Sequence, residues 1–163
     1  MPPARPSPPA VLTRPARWWL AAQRAALLRL ASLSRAPKLS PNLETGVRGE
    51  FEALFHLRRL GYTVVERRWR SPELNGDLDL IAWEAGTLCF VEVKARTARD
   101  KTPAALAIDG PKRLMLQQMA ASYLRTLPQE YRRDALARFD IVSVYLLGDR
   151  IECELVRDAF PRQ

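Results

Sequence analysis

Histidine is almost missing from this chain of 163 residues: His56 is the only one. It falls inside a helical pattern without a partner and reads as a packing or surface residue. Triad chemistry built on histidine and multi-histidine metal sites are thereby excluded. Cysteine is also scarce. Cys89 and Cys153 each sit in a strand-like apolar run, and neither has a Cys or His at metal-ligand spacing. They read as inert buried thiols, nothing in them calls for an oxidising compartment, and a cytoplasmic protein is expected. No apolar run reaches the roughly 18 residues needed to read as a spanning helix. Acidic residues are absent from positions 1–43, which carry seven basic ones: Arg5, Arg14, Arg17, Arg24, Arg29, Arg35 and Lys38. The net charge of +8 therefore belongs to this arm, leaving 19 of the 26 basic residues to face all 18 acidic ones. A nearly neutral remainder is weak support for nucleic-acid binding by bulk charge alone.

What is present divides the chain in two. Residues 1–15 are rich in proline and read as disordered. Residues 16–35 can form a helix with Trp19, Leu20, Leu27, Leu30 and Leu33 on one side and Arg17, Arg24 and Arg35 on the other. Such a helix suits a membrane surface or anionic phosphates; it equally suits packing on its own domain. Residues 36–41 read as a linker. The rest, 44–163, has room for one domain with a real core. Residues 45–60 read as a helix stopped by Gly61, followed by a strand from Tyr62 to Trp69 and a turn at 71–76. Two short acidic strands come next, then an irregular connection over 96–110. A helix over 111–127 follows, with Pro111 in its first turn and Pro128 ending it. Strands at 139–147 and 151–156 close the pattern. Helix, three strands, helix, two strands predicts an α/β sandwich around a mixed sheet.

The chemistry sits on the two acidic strands, Asn75-Gly76-Asp77-Leu78-Asp79-Leu80-Ile81 and Phe90-Val91-Glu92-Val93-Lys94. Side chains two apart on a strand share a face, so Asp77 goes with Asp79 and Glu92 with Lys94. Only Trp83 to Thr87 separates the apolar runs, which suggests a hairpin with Asp79 beside Glu92. Two carboxylates and one ammonium at the end of apolar strands are the parts of a magnesium-dependent phosphodiesterase. Magnesium, with manganese as the substitute, takes one or two protein carboxylates and completes its shell with water and phosphate oxygens. Lys94 would orient the attacking water or stabilise developing charge. A solvated hairpin face has the same pattern, and on spacing alone both readings stand. Glu50 tips the balance. It lies on one helix face with Leu54 and Leu57, at the edge that should meet the sheet, where a glutamate needs a partner. A metal would supply one; so would Arg58 or a strand arginine. Asp77 reads as a supporting group or a solvated acid. Arg68 and Arg70, flanking Trp69, and Lys112 and Arg113, opening the second helix, are candidate contacts to a phosphate backbone.

The ordered set Gly46-x-x-Gly49-Glu50, Gly61-Tyr62, Trp69-Arg70, Gly76-Asp77-Leu78-Asp79-Leu80-Ile81 and Phe90-Val91-Glu92-Val93-Lys94-x-Arg96 resembles the YraN-like family of small bacterial proteins. Pro103-Ala104-Ala105, Lys112-Arg113 and Ala120-x-x-Tyr123-Leu124 continue the likeness, which covers about residues 45–147. That family is assigned to the restriction-endonuclease-like PD-(D/E)xK superfamily, near Holliday-junction resolvases. The resemblance implies an αβββαβ core with a mixed central sheet flanked by helices. It implies a site of Glu50, Asp79, Glu92 and Lys94, with Asp79, Glu92 and Glu50 as magnesium ligands and Arg96 joining the nucleic-acid contacts. Asp77 stands where the family usually has Glu. The expected activity is cleavage of DNA, including branched DNA, with no small-molecule cofactor. Paired cuts at a junction would require a homodimer. The alternative is a non-catalytic nucleic-acid-binding or scaffold protein that keeps the fold.

Overall fold

The computed structural model describes residues 22–26, 29, 40–99, 108–133 and 136–161. The proline-rich start, most of the expected 16–35 helix, positions 36–39 of the linker and Pro103-Ala104-Ala105 lie outside the described residues. Pro41 opens helix α1, Pro41–Arg59, from the first-turn position that suits proline. Gly61, at φ 92°, closes it: Gly61 N donates to Arg58 O and Tyr62 N to Leu57 O, the paired bonds of a left-handed helix stop.

Strands β1 (Thr63–Trp69), β2 (Leu78–Glu84) and β3 (Thr87–Arg96) form an antiparallel meander. The expected hairpin is there, closed by a two-residue turn at Ala85-Gly86 with Glu84 opposite Thr87. Helix α2 (Gly110–Thr126) is capped by Asp109, whose side chain accepts from Lys112 N at 2.8 Å. A short helix α3 (Gln129–Arg133) follows where an ending alone was expected. Strand β4 (Ala137–Leu147) then runs parallel to β3, and β5 (Arg150–Phe160) antiparallel to β4. The sheet order is β1-β2-β3-β4-β5.

Alternation along the central strands makes two cores. Leu80, Ala82, Cys89, Val91, Val142 and Val144 face α1 and bury Ala53, Leu54 and Leu57. Ile81, Leu88, Phe90, Phe139 and Ile141 face α2 and bury Leu116, Met119 and Tyr123. The protein is an α/β layer structure, a mixed and mostly antiparallel sheet between helices. Trp69 packs edge-on against Tyr123, with ring centres 5.2 Å apart, so its role is in the core. Cys89 is buried and its thiol is pushed up to about 12 by burial, and Cys153 to about 11, as inert thiols should be.

Gly49 marks a close approach between α1 and the sheet. A Cβ built there would lie 2.3 Å from the Cβ of Ala95 on β3. At Gly46, one turn earlier, nothing lies within 4 Å. The two glycines should therefore respond oppositely to alanine. Gly49→Ala is expected to cost about 1–3 kcal/mol through overpacking. Gly46→Ala is expected to gain roughly 0.5–1 kcal/mol from helix propensity. Urea midpoints of the two variants measure this, and equal shifts would refute the close approach.

Candidate active site

The β2–β3 register builds the site. Leu80 stands opposite Val91, so the next pair outward is Asp79 and Glu92, as the hairpin required. Asp79 is tied in place by its neighbour strand: Val93 N donates to Asp79 Oδ2 at 2.8 Å. Glu92 is 5% exposed. Its Oε1 accepts from Lys94 Nζ at 2.9 Å, and Lys112 Nζ at the start of α2 lies 3.2 Å from its Oε2. That second approach lacks hydrogen-bond alignment, which leaves Oε2 buried and without a hydrogen bond among the described residues. Glu50 reaches the same place from α1, across the Gly49 contact. A cavity of about 360 Å³ opens between Glu50 and Asp79, walled also by Gly46, Val93 and Lys94; Glu92 lies outside its wall.

Glu50 is 8% exposed and is held by Arg68 of β1. Arg68 Nε donates to Glu50 Oε2 at 2.7 Å and its Nη2 to Oε1 at 2.7 Å, a two-pronged fork on one carboxylate. Of the partners open to Glu50 in the sequence, a strand arginine is the one that this structure holds. Arg68 has φ 48°, a left-handed backbone inside a strand, which costs a non-glycine residue on the order of 1–3 kcal/mol.

Asp77 stands directly before strand β2, which begins at Leu78, and just after the bend at Asn75 and Gly76. It makes a long ion pair with Arg70, 3.7 Å, at a site where Arg70 is 75% exposed. Of the other expected phosphate contacts, Arg68 and Lys112 are brought to the site as partners of its carboxylates. Arg113 instead donates Nε to Ile108 O and stands over the Phe160 ring. Arg96 is half-buried on β3, in register with Tyr145.

Charge is unevenly distributed in this cluster. Glu50, Glu92 and Asp77 each have a cation, whereas Asp79 has no ion pair among the described residues. Burial and the nearby Glu92 push the Asp79 carboxyl up to about 7. The arrangement fits a divalent cation in two respects. Asp79 stands beside Glu92, whose buried Oε2 has no hydrogen bond among the described residues, and Asp79 itself has no ion pair there. As they stand, no three Asp, Glu, His or Cys side chains among the described residues group closely enough to hold one ion. One or two carboxylates are what magnesium commonly takes from a protein, and Glu50 is held by Arg68.

Three features here had no strong sequence signal. Lys112 reaches Glu92 from a helix twenty residues away, and the left-handed Arg68 is invisible in composition. Ser143, in register with Lys94, has a buried Oγ with no hydrogen bond among the described residues; a serine inside Ile141-Val142-Ser143-Val144 was the only hint. On the arm, residues 22–26 are helical and Arg24 forks onto buried Glu52 of α1 at 2.8 and 2.6 Å, so this part packs on the domain. No helix among the described residues is long and apolar enough to cross a membrane.

A family model described as Uncharacterised protein family UPF0102 matches residues 49–144, a span that holds every candidate site residue. A UPF0102 protein of Koribacter versatilis (strain Ellin345) is 44% identical over 124 residues, covering 76% of this chain and 84% of the relative. One of Solibacter usitatus (strain Ellin6076) is 40% identical over 112 residues, 69% of this chain and 82% of the relative. One of Syntrophus aciditrophicus (strain SB) is 35% identical over 124 residues, 76% and 93% respectively. The chain belongs to the UPF0102 family, the YraN family that residues 45–147 resemble.

Proposed function

We propose that this protein is a magnesium-dependent DNA endonuclease of the restriction-endonuclease-like PD-(D/E)xK type, acting on the phosphodiester backbone. The observation that carries the reading is Asp79 set against Glu92, with Lys94 bonded to Glu92 at the wall of an open cavity. Asp79 and Glu92, joined by Glu50, would hold the ion. When bound, it supplies polarisation of the scissile phosphate and a bound water of lowered pKa.

The chain's own residues do the rest. The β2–β3 ladder fixes Asp79 and Glu92 without help from flexible loops, so little ordering is left for the bound state. Lys94 Nζ carries a positive charge into the cavity, where it stabilises charge developing on a phosphate oxygen. Lys112, paired with Glu92, and exposed Arg70, paired with Asp77, would attract the DNA backbone. A second reading, a non-catalytic DNA-binding module, is favoured by one fact: Glu50 and Glu92 are already satisfied by Arg68 and by Lys94 with Lys112.

Cleavage of linear, single-stranded, flap and four-way-junction DNA with magnesium or manganese separates the two. The nuclease is expected to cut at least one, and Lys94→Ala to lower the rate about 100-fold or more while keeping the fold, since one preorganised donor is worth that much. Full activity in Lys94→Ala would remove the lysine from the mechanism. Binding without cleavage of any DNA would leave the non-catalytic module.

A further inference from the structure

We infer that Arg68 is a latch on Glu50 that a DNA phosphate releases, so that substrate binding completes the carboxylate set. This rests on the nuclease reading above and adds a regulation to it.

Glu50 and Arg68 come from different elements, α1 and β1, and meet through the two-pronged fork at 2.7 Å. The two partners differ in exposure. The Glu50 side chain is 10% exposed and faces the cavity with Asp79, whereas the Arg68 side chain is 43% exposed. An outside anion can therefore reach the guanidinium without entering the site. A guanidinium fork fits a phosphate as well as a carboxylate. The left-handed backbone of Arg68 is an independent sign. A strand that needed only a charge at this position could present it from an ordinary conformation. Here the chain holds a strained one at the residue whose guanidinium forks onto Glu50.

The consequence is an exchange of partners. Without DNA, Arg68 occupies Glu50 and the site offers two carboxylates. With DNA, a phosphate takes Arg68 and Glu50 becomes a third. A site populated in its competent form only a fraction of the time binds its ion more weakly by that fraction. Metal and DNA therefore bind with positive coupling, and each raises the affinity for the other.

The experiment is a four-protein cycle: wild type, Arg68→Ala, Glu50→Gln and the double variant. Arg68→Gly takes the positive φ without strain and replaces Arg68→Ala if alanine fails to fold. Calorimetric titration with magnesium alone is expected to give about tenfold tighter binding in Arg68→Ala than in wild type. The gain should vanish in the Glu50→Gln background. Fluorescence anisotropy of a labelled oligonucleotide, without metal, is expected to show tighter binding in Glu50→Gln, where Arg68 is freed, but not in the double variant.

Equal magnesium affinity in wild type and Arg68→Ala would overturn the latch and leave the metal site standing. A gain that persists in the Glu50→Gln background would also overturn it, since simple removal of a positive charge would then suffice. Absence of magnesium binding in all four proteins would overturn the metal site, and the latch with it.

Discussion

Asp79→Asn is expected to give a protein that is inactive and yet more stable than the wild type. The carboxyl of Asp79 sits at about 7 in the folded protein, lifted from 3.8 by burial and by Glu92. The folded protein thus keeps a proton that the unfolded chain gives up near pH 4. For an acid shifted upward, the folded state binds more protons than the unfolded one, so stability falls as pH rises between those two values. Above pH 7 the full cost of a buried, unpaired charge is present. Asparagine keeps an acceptor for Val93 N and removes the charge. Its gain at pH 8 should be on the order of 2–4 kcal/mol, fading toward zero near pH 4. Urea unfolding in the presence of a chelator, at pH 4, 6 and 8, measures it. Metal binding should move the other way. Wild-type magnesium affinity should rise with pH through 7 as the proton leaves, and Asp79→Asn should lose about 100-fold or more. Parallel stability curves for the two proteins, or retained magnesium affinity, would refute the assignment. A residue that lowers stability in the empty protein is what a site prepared for a cation requires.

The second large effect lies on β4, in a network that reaches Glu84 at the end of β2. Asp140→Ala is expected to cost about 3–5 kcal/mol, the range for removing one partner of a buried ion pair. Asp140 is fully buried. Its Oδ1 accepts from Arg138 Nε at 2.8 Å and from Asp158 N at 3.0 Å. Its Oδ2 accepts from Tyr62 OH at 3.2 Å and from Arg138 Nη2 at 3.1 Å. Arg138 also bonds Glu84, and Arg157 bonds both Glu84 and Tyr62. Removing the carboxylate strands two donors of one guanidinium, a phenol and a backbone amide. Asp140→Asn keeps part of the acceptor set and should cost less. Thermal unfolding should show Asp140→Ala melting roughly 10 °C or more below wild type. A drop of only a degree or two would mean that water replaces the carboxylate, and the network would then be a surface feature.

The two clusters show what a sequence discloses and what it conceals. The meander and the placing of Asp79 beside Glu92 were legible because the signals are local. Asp79 and Glu92 are joined by a two-residue turn, and apolar alternation sets their register without reference to the rest of the chain. Gly61 as a helix stop and Pro111 in a first turn are equally local. Arg68 and Lys112 were read as DNA contacts because an arginine or lysine in sequence has no address for its partner. The tertiary fold gave them Glu50 and Glu92. The Asp140 network was missed although its signal was present. A charged pair within Arg138-Phe139-Asp140-Ile141, in an otherwise apolar strand, can be buried only if its partners come from elsewhere.

The strained arginine has one more consequence, for the sheet as a polymerisation template. Any sheet with two open edges can recruit another chain by strand addition. Among the described residues the two edges here are β1 and β5. Each carries the same pair of irregularities. On β1 the register shifts between Val64 and Glu66, and Arg68 follows with φ 48°. Facing β5, the register shifts between Phe139 and Ile141, and Asp158 lies on that strand with φ 49°. A break in pairing next to a left-handed residue turns backbone donors and acceptors out of line. Charged side chains such as Glu66, Arg67, Arg150 and Arg157 add repulsion and hydration along the same margins. The conformation that holds Arg68 against Glu50 thus also blunts an edge against stacking, and keeps a small, mostly antiparallel sheet from growing into fibres.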